Sequence, residues 1–186
     1  MATVKIEQPE MITVSFRQER GDKDYGSCLW ARFNFDTKHY HLSIESDCGT
    51  YSNGWVPTPN HETFLHLCAR FDEGYLLEKL DNRSVVDGKA TFKSLMEHLE
   101  DYDCIAYEEL TVRQLEYLEN ACCCNRTDRD CLDSIMNELD DTGFSGSCSV
   151  YDIACCIETT YPEGTKKIVQ IFKDYIQPEL RKLEEG

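Results

Sequence analysis

The sequence predicts an α+β fold, in which an N-terminal antiparallel β-meander of about four strands packs against five to seven α-helices. Residues 11–56 alternate apolar and polar side chains with period two, whereas the apolar residues after residue 58 recur at helical spacing. No internal repeat or low-complexity linker interrupts the 186 residues. We therefore expect one domain over residues 1–186, strand-rich in residues 1–57 and helical in residues 58–186.

The strands are predicted from alternation between turn sequences. GDKDYG separates the first two strands, DTK joins the second to the third, and DCGTYSNGW contains the turn that leads to the fourth. One face of the sheet is apolar, so helices must cover it. The side chains expected on that face are Ile12, Val14, Phe16, Leu29, Ala31, Phe33, Phe35, Tyr40, Leu42 and Ile44.

The first helix is predicted from four apolar residues at positions i, i+3, i+4 and i+7, which form one helical stripe. These residues are Phe64, Leu67, Cys68 and Phe71. Thr58 is a suitable N-cap and Pro59 a suitable first helical residue. Gly74 is expected to end this helix, and a second one follows it.

Later helices are predicted from their caps and apolar stripes. Thr111 and Gln114 form a capping-box pattern, and Ser149 marks another helix start. Further stripes lie in residues 92–99, 132–139 and 168–175. Pro178 is expected to kink or end the last helix, because proline lacks the N–H that an interior helical turn requires.

The charge is concentrated in one part of the chain. Residues 97–163 contain 17 Asp and Glu against three Arg, so 67 residues carry −14 of a total net charge of −16. Such a field repels nucleic acid and attracts a basic protein surface. A solvated acidic face that only maintains solubility is the competing interpretation. The predicted partner-binding residues are Glu108, Glu109, Glu116, Glu119, Asp130, Asp133, Asp140 and Asp141.

Eleven cysteines are the second unusual feature of the composition. The N-terminus lacks a secretory pattern and no apolar run approaches the ~20 residues of a membrane span, so we expect a soluble intracellular protein with reduced thiols. The C-x6-C spacing occurs twice and predicts a structural zinc site with the ligands Cys124, Cys131, Cys148 and Cys155. The alternatives are that these cysteines are small buried hydrophobes, or that His39, His41 and Cys48 form a second cluster.

No catalytic signature is present. The sequence has no G-x-S-x-G elbow, no glycine-rich phosphate loop and no basic patch with interleaved aromatic residues. We therefore do not expect an enzyme. The alternative is a hydrolase or nucleotide-modifying metalloenzyme whose Asp, His or Cys ligands have no recognisable spacing.

Four segments carry a family resemblance: YSNGW, HETFLHLCARFDEGYLLEKL, VVDGKATFKSL and YIQPELRKL. Through them the chain resembles small acidic proteins encoded by phages and prophages of gut Firmicutes, some of which are anti-CRISPR inhibitors of Cas9. The resemblance implies a stoichiometric inhibitor in the host cytoplasm that binds a basic surface of a nuclease such as Cas9 and blocks DNA loading. It implies neither direct nucleic-acid binding nor a membrane.

Overall fold

A computed structural model of the chain describes residues 8–22, 24–57, 63–101, 110–124, 127–141 and 149–185. The chain divides into two compact units. The sheet unit comprises Met1–Asn82 and Pro162–Gly186, and the helical unit comprises Arg83–Tyr161. A four-stranded sheet and, within the described residues, seven helical runs confirm the predicted α+β class. That the chain forms one domain stays a prediction.

The sheet is an antiparallel meander with the strand order β1-β2-β3-β4. Its strands are β1 Met11–Arg17, β2 Trp30–Asp36, β3 His41–Ser46 and β4 Gly49–Gly54. Ala31 pairs with Ser46 and Phe33 with Ile44 across β2 and β3. Ala31, Phe33, Phe35, Leu42 and Ile44 are buried, as the alternation predicts.

The predicted alternation fails just before β2. Leu29 is 41% exposed, whereas Cys28, which was expected on the outer face, is completely buried. The strand begins only at Trp30, so the two residues before it do not follow the pleat. This local departure places the Cys28 thiol inside the sheet unit.

Helices at both ends of the sheet unit cover its apolar face. They are α1 Phe64–Cys68, α2 Glu73–Leu80, α7 Glu163–Ile171 and α8 Gln177–Glu185. A π-helical segment, Phe172–Ile176, joins α7 to α8 without a break. Phe172 packs against Phe33 with ring centroids 5.9 Å apart. The helical run therefore passes Pro178 and does not end there, because a wider π turn accommodates the ring that would disrupt a regular α-helix.

The first helix differs from the prediction at both ends. Thr63 is the N-cap of α1, and its side chain accepts a hydrogen bond from the His66 N–H. The Thr58–Pro59 start lies outside the described residues. Helix α1 ends at Cys68, and a second N-cap, Asp72, begins α2. Gly74 therefore lies inside α2, and the prediction that it ends a helix is wrong.

The described residues of the helical unit form four helices around an apolar cluster of that unit. They are α3 Gly88–Asp101, α4 Val112–Cys123, α5 Asp128–Asp141 and α6 Val150–Ala154. The predicted capping box forms at Thr111, and another capping box begins the helix that was predicted to start at Ser149. Two short strands, β5 Val85–Val86 and β6 Thr159–Thr160, pair near the ends of the unit.

Two helices of the helical unit approach each other through a glycine. A Cβ added to Gly88 would lie 2.5 Å from the Cys123 Cα, so only glycine fits at this start of α3. No helix among the described residues has the length and apolar character needed to span a bilayer.

Candidate functional site

The helical unit exposes six of the predicted partner-binding side chains, which we call the acidic face. Two lie on α4 and four on α5. Glu108 and Glu109 lie outside the described residues. The members of the acidic face are Glu116, Glu119, Asp130, Asp133, Asp140 and Asp141.

The packing of α5 determines where its carboxylates project. The buried side chains Cys131, Ile135 and Leu139 occupy one side of this helix. At about 100° per residue, its four carboxylates fall within a sector roughly 100° wide on the opposite side. Burial of the apolar stripe therefore directs all four negative charges to solvent together.

Within the described part of the chain, no ion pair joins a lysine or arginine to a member of the acidic face. The nearby Arg113 donates its Nε–H to the Tyr117 hydroxyl at 2.8 Å. Asp130 accepts a hydrogen bond from the Thr127 hydroxyl at 2.6 Å, which ties down the start of α5. The face thus carries negative charge that no described lysine or arginine neutralises through an ion pair.

The predicted zinc ligands have different surroundings from one another. Cys131 is buried, whereas Cys124 and Cys155 are exposed. Cys148 lies outside the described residues. Among the described side chains, none of these three cysteines belongs to a group of three ligand atoms within 4.8 Å. Zinc binding by the predicted quartet stays a prediction.

The buried thiols of the helical unit behave as core residues. Burial raises the pKa of the Cys122 thiol to about 12, and the neighbouring thiols raise it further. Burial also raises the pKa of Cys131, whose Sγ lies 3.9 Å from the carbonyl oxygens of Ala121 and Cys122. Both thiols are therefore protonated at neutral pH, in line with the interpretation of cysteine as a small buried hydrophobe.

The sheet unit brings Cys28, Asp47 and Cys48 together, with one ligand atom of each within 4.8 Å of the others. We call this group the thiol–carboxylate cluster. The Cys28 S–H donates to Asp47 Oδ1 at 3.2 Å, and the Cys48 S–H donates to the Ser27 carbonyl at 3.2 Å. Two thiols and a carboxylate are a ligand set that could hold a metal ion.

Hydrogen bonds from the backbone hold the carboxylate of the cluster in place. The Leu29 N–H donates to Asp47 Oδ2 at 2.8 Å, and the Trp30 N–H donates to Asp47 Oδ1 at 3.4 Å. Partial desolvation raises the pKa of Asp47, but these bonds and the one from Cys28 outweigh it and lower the pKa below its usual value. Burial raises the pKa of Cys28, and hydrogen bonds with Cys48 and Asp47 raise it further.

The turn that carries Asp47 and Cys48 is firmly anchored. The Ser46 hydroxyl donates to the Gly49 carbonyl at 2.7 Å, and Gly49 has a positive φ of 135° that favours glycine. The Tyr51 hydroxyl donates to the Cys48 carbonyl at 3.1 Å. That carbonyl would lie only 2.5 Å from a Cβ added to Gly164, so the start of α7 packs directly against the turn.

Cys48 was predicted to form a cluster with His39 and His41, whereas in the structure it lies beside Cys28 and Asp47. His39 Nδ1 lies 2.7 Å from Asp36 Oδ2, and His41 Nε2 lies 3.2 Å from the Ser52 hydroxyl. The signal that could have identified Cys28 is the strand register. With Ala31 opposite Ser46, the residues just before β2 and just after β3 must be neighbours.

The fold and the two sites define an α+β protein that combines an acidic helical face with a thiol–carboxylate cluster. The model of the Phage_phiTE_072 family, a phage family, matches residues 5–182. Because this match covers nearly the whole chain, the protein belongs to that family, and the predicted resemblance to phage-encoded proteins is confirmed at that level. No curated protein and no solved structure matches the chain.

Proposed function

We propose that this phage protein is a stoichiometric inhibitor that binds a basic surface of a host DNA-targeting nuclease through its acidic face. The most specific form of the proposal is an anti-CRISPR protein that acts on Cas9 in the host cytoplasm and blocks DNA loading. The observation that carries it is the exposed row of carboxylates on α5, opposite its buried stripe.

The spacing of these charges supports competition with nucleic acid. From Asp130 to Asp141 the rise of α5 is roughly 16 Å, at 1.5 Å per residue. The four carboxylates over that length are on average about 5.5 Å apart along the axis, compared with the 3.4 Å between the charges of a single DNA strand. Cas9 holds its heteroduplex and the displaced strand in positively charged channels. A channel that accepts a single strand would attract this helix by the same electrostatic force.

A binding role also fits the exposure of the carboxylates. A catalytic site needs titratable groups that converge in a pocket, whereas steric and electrostatic exclusion needs only a shaped, charged surface. The members of the acidic face are all exposed along two helices. We therefore expect inhibition without turnover.

The test is a DNA-cleavage assay with a Cas9–guide complex and increasing amounts of the protein. Inhibition should be complete at about one inhibitor per complex and should weaken as salt rises, because exposed charges are screened beyond ~8 Å at physiological ionic strength. Addition before the target DNA should inhibit more than addition after it. Complete inhibition at a hundredfold substoichiometric amount would instead indicate an enzyme.

A charge-neutral variant locates the binding surface. Replacing Glu116 and Glu119 with Gln and Asp133, Asp140 and Asp141 with Asn keeps the side-chain shapes and removes five charges. Binding should weaken by at least tenfold at low salt. The control removes five exposed carboxylates of the sheet unit by Gln substitution of Glu19, Glu45, Glu73, Glu78 and Glu179. Equal losses in both variants would show that only net charge matters, and unchanged binding in the first would exclude the acidic face.

A further inference from the structure

We propose that Cys28, Asp47 and Cys48 bind one Zn²⁺ ion, with a water molecule in the fourth position. The ion would join the segment that precedes β2 to the turn between β3 and β4. This site is separate from the acidic face, and neither proposal depends on the other.

The separations of the ligand atoms suit a tetrahedral ion. Zn–S and Zn–O bonds of about 2.3 and 2.1 Å at tetrahedral angles place a sulfur and an oxygen ligand about 3.6 Å apart, and two sulfurs about 3.8 Å apart. Cys28 Sγ lies 3.2 Å from Asp47 Oδ1, and the three ligand atoms lie within 4.8 Å of one another. A shift of a few tenths of an ångström would therefore bring Cys28 Sγ and Asp47 Oδ1 to the tetrahedral separation.

The outer hydrogen bonds leave one carboxylate oxygen available. Asp47 Oδ2 accepts the short bond from the Leu29 N–H, while Oδ1 faces the Cys28 thiol at 3.2 Å and receives only a long bond from the Trp30 N–H. Such outer partners orient a ligand before the metal arrives and so lower the cost of ordering it. Oδ1 is thus the oxygen that would bind the ion.

The turn that carries Asp47 and Cys48 is held in place by the rest of the sheet unit. Hydrogen bonds from Ser46 and Tyr51 hold the turn, and the start of α7 packs against the Cys48 carbonyl. The Tyr51 hydroxyl in turn lies 3.5 Å from the Thr165 hydroxyl, which donates to Asp81 at 2.6 Å. The turn is therefore connected to the interior of the sheet unit.

The donor set selects the class of metal. Two thiolates and one carboxylate favour Zn²⁺ over Mg²⁺ and Ca²⁺, which prefer oxygen ligands only. Binding replaces both thiol protons with the ion and releases them to solvent. No electron is transferred, so the step needs no oxidant or reductant.

Zinc binding is tested on the full-length reduced protein, stripped of metal with a chelator and titrated with Zn²⁺ against a chromophoric competitor. One ion should bind per chain, and Co²⁺ in its place should give the charge-transfer absorption of two thiolates. Cys28→Ser with Cys48→Ser should abolish this binding. Asp47→Asn should weaken it by more than the roughly 10–100-fold that loss of an outer partner costs. The control, Cys123→Ser with Cys124→Ser, removes two adjacent exposed thiols of the helical unit and should bind zinc normally.

A measurement on the unmodified protein covers the case in which the double variant does not fold. Zn²⁺ should protect Cys48 from alkylation, while the exposed Cys124 and Cys155 react at the same rate with or without it. Unprotected Cys48, zinc binding that persists in the Cys28–Cys48 variant, or zinc binding lost only in the Cys123–Cys124 variant would each overturn the proposal. So would a Cys28–Cys48 disulfide in protein purified without oxidant, seen as a linked peptide two hydrogens lighter.

Discussion

Cysteines and acidic residues have different surroundings in the sheet unit and in the helical unit. In the sheet unit the Cys28 and Cys48 thiols donate to a carboxylate and a carbonyl in a polar cluster. In the helical unit Cys122 and Cys131 are buried among apolar side chains. The number of cysteines therefore does not identify a metal site. A carboxylate held beside two thiols is the group whose ligand atoms lie close enough together that they could hold one ion.

The acidic residues show a parallel contrast. In the sheet unit several are paired with a cation, such as Glu45 with Arg32 at 3.7 Å and Glu163 with Lys166 at 2.9 Å. The helical unit holds 17 acidic and six basic residues, and its acidic face has no such partner among the described residues. Exposed ion pairs contribute little to stability. They do neutralise carboxylates locally, so a negative field remains where such pairs are absent. The field remains over α4 and α5.

The largest expected effect is on the core of the sheet unit. Phe33→Ala removes a completely buried ring that packs against Phe172, so it should lower the free energy of unfolding by about 3–5 kcal/mol. Both tryptophans, Trp30 and Trp55, belong to this unit, so their fluorescence during chemical denaturation measures the change. The control Arg32→Ala removes an exposed ion pair and should cost at most ~1 kcal/mol. Similar losses in both variants would contradict this description of the core.

A smaller effect is expected at the contact between α3 and α4. Gly88→Ala places a Cβ against the backbone of Cys123 and should destabilise the helical unit by about 1–3 kcal/mol. Segment-resolved hydrogen exchange should show that the substitution accelerates exchange in α3 and α4 more than it does in the sheet. Gly74→Ala is the control, because a Cβ added there inside α2 would meet no atom closer than 3.6 Å. This substitution should stabilise α2 by up to ~1 kcal/mol, since alanine has the higher helix propensity. Equal acceleration in the sheet would show that the effect is not local.

The smallest expected effect distinguishes the two units by charge. Added salt screens the repulsion between like charges on α4 and α5, so it should stabilise the helical unit by less than about 1 kcal/mol and the sheet unit by less still. Hydrogen exchange at low and high NaCl measures both changes together. Asp133→Asn with Asp140→Asn and Asp141→Asn should reduce the salt effect. If salt stabilised the sheet unit more than the helical unit, the predicted difference in charge repulsion between the two units would be wrong.

Local patterns predicted much of the fold. Alternation located the first three strands, a turn sequence pointed to the fourth, and the Thr111 and Ser149 caps marked two helix starts, because each of these signals depends on neighbouring residues alone. The end of α1 depends on distant residues. Phe71 continues the helical spacing, yet its carbonyl accepts hydrogen bonds from Lys173 and Gln177, about a hundred residues later. Periodicity cannot detect such partners.

The acidic face was visible in the sequence and the thiol–carboxylate cluster was not, because only the cluster depends on residues that are distant in the chain. Charge density along the chain located the acidic face directly, and its described members are exposed as expected. In the thiol–carboxylate cluster, Cys28 precedes Asp47 by 19 positions and Cys48 by 20. Only the register of β2 and β3 brings these residues together. The repeated C-x6-C spacing therefore favoured Cys124, Cys131, Cys148 and Cys155, and Cys28 was not among the predicted ligands.

The π-helical segment Phe172–Ile176 limits insertions in the C-terminal helix. Its wider turn accommodates one residue more than a regular α-helix would, and Gln177 and Leu180 are buried after it. Adding one more residue to the segment would exceed what its single wide turn accommodates and would rotate everything beyond it by roughly 100° relative to the sheet. Gln177 would then lose its hydrogen bonds to the Cys68 and Phe71 carbonyls, at 3.1 and 2.8 Å. The number of residues between Ile168 and Leu180 is thus constrained by packing at both ends, whatever side chains occupy the exposed positions between them.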